Sequence, residues 1–189
     1  MITVIGVDIG QAQDYTAIAI IQSVELGARR EYHCRWIERL ALGTPYHRII
    51  ERVAEHQRKV GQAVVIFDAT GVGRPVVEQA RRLLRGLRII GLTITGGHSV
   101  NGWNVPKRDL ITNLQILLQG ERLKLASGLP FLADIIGELQ SFRVEIGARA
   151  HETFGPWRES EHDDLVLALA IAAFGAARFA PMRTEPVII

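Results

Sequence analysis

Val4-Ile5-Gly6-Val7-Asp8-Ile9-Gly10 decides how the rest of the chain is read. The run is apolar up to Asp8, as in a strand buried on both faces. Asp8 therefore stands where a core strand meets solvent. Gly6 and Gly10 leave room for a backbone or ligand to come close. Two later stretches repeat the arrangement. Val64-Val65-Ile66-Phe67-Asp68-Ala69-Thr70-Gly71 is a second apolar strand closed by an acid. His162-Asp163-Asp164 opens a long apolar helix, Leu165-Val166-Leu167-Ala168-Leu169-Ala170-Ile171-Ala172-Ala173-Phe174.

Working outward, residues 2–9, 15–24 and 31–40 read as three strands joined by short turns, an antiparallel meander. Thr44 is the expected N-cap of a helix with Pro45 at its first position, ending near Val60 before Gly61. Within it Ile49, Ile50 and Val53 face inward, while Arg48, Arg52 and Arg58 face solvent. A buried strand at 63–67, a helix at 74–84 and a strand at 87–93 make a β-α-β unit. Residues 95–104 read as a glycine-rich loop with an exposed Trp103. Helices follow at 106–118, 129–142 and 161–178. A short extended piece is expected at 122–125 and a hairpin at 143–154. One domain over residues 1–180 and a loosely held tail at 181–189 complete the division. Meander, helix, strand, helix, strand and then helices is the order of a ribonuclease-H-like fold. The expected architecture is an α/β mixed sheet, a three-strand antiparallel meander plus parallel strands, with helices on both faces. In that layout Asp8 and Asp68 emerge side by side.

Composition bounds the function. The 189 residues are 48% hydrophobic and 22% charged, which excludes a disordered chain. A net charge of +2 permits a nucleic-acid partner without demanding one. Cys34 is the single cysteine, so no internal disulfide forms, and a cytoplasmic setting is expected. The longest apolar run, Leu165–Gly175, is shorter than the ~20 residues of a bilayer span. A buried helix and no membrane association are expected.

Each acid has an ordinary explanation by itself. Asp8 starts a turn. Asp68 is a helix cap, although the next helix begins several residues later. Asp163 and Asp164 complement a helix dipole, worth ~0.3–1 kcal/mol each. Together they point elsewhere. Carboxylates crowded at one sheet edge raise one another's pKa, and a divalent cation removes that penalty. Hard oxygen donors favour Mg²⁺ or Mn²⁺. Two such ions ~3.5–4 Å apart activate water and stabilise the leaving oxygen of a phosphodiester. Asp14 and His162 are candidates to assist. Lys107, Arg108 and Arg74 are candidate contacts to DNA phosphate.

The chain resembles the C-terminal nuclease domain of the large terminase subunit of tailed bacteriophages. The likeness rests on Gly6-Val7-Asp8 with Asp14-Tyr15-Thr16-Ala17, and on Phe67-Asp68-Ala69-Thr70-Gly71-Val72-Gly73. Val105-Pro106-Lys107-Arg108-Asp109-Leu110, Glu138-Leu139-Gln140-Ser141-Phe142 and His162-Asp163-Asp164-Leu165-Val166 follow in family order. The resemblance implies a nuclease that cuts concatemeric double-stranded viral DNA during genome packaging. It implies Asp8, Asp68 and Asp163 or Asp164 as metal-binding acids, and a packaging ATPase domain, small subunit and portal as partners. No Walker-type motif occurs, so the chain is an excised domain, a fragment or a stand-alone relative. Rival readings are a Holliday-junction resolvase of the same fold, a non-catalytic DNA-binding module, and an actin-like ATP-binding half. The last needs a second lobe for which 189 residues leave no room.

Overall fold

The computed structural model describes residues 1–10, 14–27, 29–148 and 163–179. Among them the elements run β1 (Ile2–Asp8), β2 (Ala17–Leu26), β3 (Arg29–Arg39), α1 (Tyr46–Val60), β4 (Val64–Asp68), α2 (Gly73–Leu83) and β5 (Arg88–Thr95). They continue β6 (Asn104–Pro106), α3 (Lys107–Gln119), β7 (Leu123–Leu125), α4 (Leu132–Ala148) and α5 (Asp164–Phe179). The seven strands form one sheet in the order β6-β5-β4-β1-β2-β3-β7. β1, β2 and β3 pair antiparallel, whereas β1–β4, β4–β5, β5–β6 and β3–β7 pair parallel. This is the mixed sheet the sequence predicts, with helices on both faces.

Strand alternation assigns the two faces. On β1, Ile5 and Val7 join Ile49, Ile50 and Val53 of α1 and Val76, Val77 and Ala80 of α2 in one core. Val4 points the other way, into a core built around Leu165–Ala173 of α5 and Leu110, Leu114 and Leu117 of α3. A side chain two positions from Val4 or four from it shares its face, so Gly6 and Asp8 lie on the α5 side. The same count on β4 puts Ile66 and Asp68 there. α5 is buried on nearly every side from Asp164 to Ala173. Ala and Leu favour the helix intrinsically, and the lack of a polar stripe suits a helix enclosed by sheet and helices.

β1 and α5 touch with almost no intervening side chain. A Cβ added at Gly6 would stand 2.5 Å from the Ala168 carbonyl oxygen and 2.6 Å from the Ala172 nitrogen. A Cβ at Gly175 would meet Ile66 Cδ1 at 2.2 Å. As β1 advances through Val4, Gly6 and Asp8, α5 runs the opposite way and brings its first turn to the Asp8 end.

β3 contains a one-residue bulge. Ile20 pairs with Trp36 and Ile21 with Cys34, which leaves Arg35 extra. Tyr32 and Cys34 face α5 before the bulge, and after it Ile37 does. Arg39 thus falls on the α5 face and Glu38 on the α1 face. There Glu38 accepts hydrogen bonds from Arg52 Nε (2.8 Å) and Nη2 (2.7 Å) and pairs with His56 Nε2 at 2.6 Å. Arg52 is therefore tied to the sheet rather than free to solvent.

Five sequence expectations change. The predicted hairpin at 143–154 is helical over 143–148, where α4 continues, and its remainder lies outside the described residues. A few alternating residues cannot separate a period of 2 from one of 3.6. Pro45, not Thr44, is the N-cap of α1, because the Thr44 hydroxyl turns back to donate to the Ala41 carbonyl. The 95–104 loop gives way to β6 at Asn104, paired to β5. α4 begins at Leu132 rather than at 129. Trp103 is half-buried, its ring 6.4 Å from Phe174 and 5.6 Å from Phe179, so the C-terminal end of α5 covers it. The tail at 181–189 lies outside the described residues.

Two predictions follow from the packing. Gly6→Ala should destabilise the fold by about 1–3 kcal/mol, the usual penalty of overpacking, read from urea melts. The second concerns acid. Burial pushes Glu38 up, yet the bonds from His56 and Arg52 win and hold it at about 2, against an ordinary 4.5. A lowered pKa means that its stabilisation, about 2–3 kcal/mol, is complete above pH 4.5 and fades as pH falls toward 2. Melts of wild type and Glu38→Gln should therefore differ by a constant gap above pH 5 that closes below 4.

Candidate functional site

One cross-strand row on the α5 face holds the sheet's polar edge. Val7 pairs with Phe67 in parallel register, so Asp8 and Asp68 end adjacent strands one residue further on. Asp68 pairs with Leu92, Asp8 with Ala17 and Ala17 with Arg39. Across the sheet the row reads Leu92, Asp68, Asp8, Ala17, Arg39. α5 lays Asp163 and Asp164 over it, and Lys107 enters from the end of β6. Four acids from three separate elements thus meet at the C-terminal edge of the parallel strands.

Asp8 is buried, 8% exposed. Burial pushes its carboxyl well above the usual range, and the carboxylates of Asp68, Asp163 and Asp164 push it further, against Lys107. Asp68 is also raised by burial, while bonds from Thr70 and the charge of Lys107 restrain it. Asp68 Oδ1 accepts the Thr70 N–H at 2.7 Å, closing the turn after β4. Asp68 caps that turn and not α2, which starts at Gly73.

Two cations compensate the acids. Lys107 Nζ donates to Asp163 Oδ2 at 2.7 Å. Arg39 Nε donates to Asp164 Oδ2 at 2.7 Å, and its Nη2 donates to Glu138 Oε1. Asp163 is drawn toward the β6 side and Asp164 toward the β3 side. In this arrangement no group of three His, Cys, Asp or Glu among the described residues stands close enough together to hold an ion. The donor chemistry still fits a divalent cation. Several hard oxygens share one edge, where burial first and then three neighbouring carboxylates raise Asp8.

Glu138 and Arg39 are the residues that sequence reading misses at this edge. Burial pushes Glu138 up to about 7, although it accepts the Val166 N–H and faces Arg39. Glu138 sits in the Glu138–Phe142 stretch already noted, but nothing local marks it as part of an acid cluster. Of the other candidates, Arg74 is exposed at the start of α2, beyond the Asp68 turn. Arg108 donates to the His98 carbonyl at 2.6 Å and to Asp109 at 3.3 Å. Asp14 is exposed and makes no bond to the cluster among the described residues. His162 lies outside the described residues.

The family model for the Terminase RNaseH-like domain matches residues 5–174. No curated protein matches the chain. Among solved structures, the large terminase nuclease from thermophilic phage G20c is 23% identical with a TM-score of 0.60, over 90% of this chain and 80% of that one. The large terminase nuclease domain of bacteriophage SPP1, solved with bound Mn, is 13% identical with a TM-score of 0.56, over 91% and 85%. The fowlpox virus Holliday junction resolvase is 12% identical with a TM-score of 0.51, over 94% and 99%. At these identities the likeness shows the ribonuclease-H-like fold.

The raised Asp8 has a consequence for stability. Its folded-state affinity for protons exceeds that of the unfolded chain, so ionised Asp8 opposes folding, increasingly as pH rises through its raised pKa. Asp8→Asn should keep or raise the melting temperature in chelator at pH 7–8. A loss of ~0.5–2 kcal/mol, as for a missing cap, would instead mark a structural role.

Proposed function

We propose that the protein is a metal-dependent endonuclease of double-stranded DNA, and the premise is its family: the chain belongs to the terminase RNase H-like domains. The observation that carries the reading is the convergence of Asp8, Asp68, Asp163 and Asp164 from β1, β4 and α5 on one buried sheet edge, where all three neighbours raise Asp8. Acids crowded at one buried edge, only partly balanced by Lys107 and Arg39, repel one another, oppose folding and call for a function. The SPP1 domain, of the same fold and solved with bound Mn, supports a divalent ion as the partner of these acids.

In this reading Asp8, Asp68, Asp163 and Asp164 hold one or two Mg²⁺ or Mn²⁺ ions. Bound there, the ions supply a deprotonated water at neutral pH and stabilise the leaving oxygen of the phosphodiester. The residues of the chain do the rest. Asp8 and Asp68 are fixed by strand pairing, and Asp163 and Asp164 by the first turn of α5. Lys107 holds Asp163, and its ammonium stands beside the acids, where it would meet a DNA phosphate. Arg108, beside Lys107 in sequence, and the exposed Arg74 would extend that contact along the DNA backbone. Such contacts position the duplex and carry no sequence information. The family suggests the cutting of concatemeric viral DNA in genome packaging, with an ATPase domain, small subunit and portal as partners.

A plasmid assay tests this. With Mg²⁺ or Mn²⁺ the protein should nick and linearise DNA with little sequence preference, and binding should fall steeply with salt. Asp8→Asn and Asp68→Asn should each reduce cleavage to near background. Cleavage that persists in excess chelator would remove the mechanism. The fold shared with a junction resolvase favours a second reading. Strong preference for four-way junctions over linear duplex in the same assay would select it.

A further inference from the structure

We propose that Arg39 and Glu138 are a positioning pair for Asp164, which fixes the first turn of α5 so that the acid stays on the Asp8 row. The proposal rests on the metal-site reading above.

Glu138 is committed to protein donors at both oxygens. Oε1 accepts Arg39 Nη2, and Oε2 accepts the backbone N–H of Val166 at 3.0 Å. That makes it an anchor for its neighbours rather than an ion ligand. Val166 is the third residue of α5, and the first four N–H groups of a helix have no partner within it. The Leu167 N–H already reaches the Asp163 carbonyl at 2.9 Å. Glu138 thus caps α5 from another helix, one residue before the helix's own ladder begins.

Arg39 completes the device. Its side chain is 15% exposed and its guanidinium lies 5.1 Å from the centre of the Tyr15 ring. Nε serves Asp164 while Nη2 serves Glu138, so one rigid plane sets the angle between the two carboxylates. A lysine presents a point charge and cannot do this. The Arg35 bulge is what brings Arg39 to this face. A residue present only to neutralise charge has the opposite signature. Removing it would strengthen cation binding, whereas removing a positioner weakens it.

The test is Mn²⁺ titration of the full chain by calorimetry and by electron paramagnetic resonance, with melting temperatures in chelator. Wild type should bind Mn²⁺ and Asp8→Asn should not; absence of binding by wild type would overturn the metal-site reading and this proposal with it. Given binding, Arg39→Lys and Glu138→Gln should each weaken Mn²⁺ affinity by about 10–100-fold, the usual loss for groups that orient ligands, and alter the resonance spectrum. Arg39→Lys should melt near wild type, since the charge remains. Unchanged or tighter Mn²⁺ binding in Arg39→Lys would overturn the proposal. If that variant does not fold, Glu138→Gln decides. Faster amide exchange at Val166 together with weaker Mn²⁺ binding supports it, and faster exchange with unchanged binding overturns it.

Discussion

Everything at the acidic edge depends on the contact between the backbone of β1 and that of α5. Three residues with small or absent side chains, Gly6 against Ala168 and Ala172, let the helix lie directly on the strand. Strand pairing fixes where Asp8 and Asp68 end, but pairing alone says nothing about a helix over a hundred and fifty residues later. The close approach locks the height of α5 above the sheet and its slide along β1. Its first turn then ends where the strands end, and the acids of helix and sheet meet. The apolar wealth of Leu165–Ala173 supplies the drive for this burial. Its shape is set by Gly6.

The energetics divide between the two faces. On the α1 face, Glu38 is surrounded by Arg52 and His56 and stabilises the fold. On the α5 face, Asp8 has three acids and a lysine for company and works against it. Both arrangements lie at the end of the same sheet, a few residues apart in β3 and β1. A chain that balanced one carboxylate so fully and left another so exposed to repulsion has separated its structural charges from those open to a ligand.

Much of this was legible beforehand for a simple reason. The strands β1, β4 and the helix α5 are continuous apolar runs, and an acid closing such a run must mark its boundary with water. Position in sequence therefore translated directly into position at the sheet edge for Asp8, Asp68, Asp163 and Asp164. Arg39 and Glu138 were not legible because their pairing spans 99 and 125 residues and leaves no periodic trace. Lys107 was noted for phosphate, but its bond to Asp163 depends on where β6 ends, and β6 is too short to announce itself. The 143–148 segment misled because Val-Glu-Ile alternation fits a strand and a helix turn equally well. Trp103 looked exposed because its partners Phe174 and Phe179 come from the far end of α5.

The bulge at Arg35 gives β3 a parity. With the bulge, odd positions past it face α5 and even ones face α1; were the same residues paired without a bulge, the two sets would trade places. Glu38 would then enter a crowd of acids and Arg39 would meet the apolar side of α1. The two residues are neighbours in sequence with opposite charges and opposite surroundings, so flattening the bulge at constant length would invert both at once, whereas loss of Arg35 itself would restore regular pairing and leave both faces as they are. Along this strand, the bulge and the residue that forms it go together. Relatives that lack the bulge should be expected to lack one residue between Cys34 and Glu38 as well.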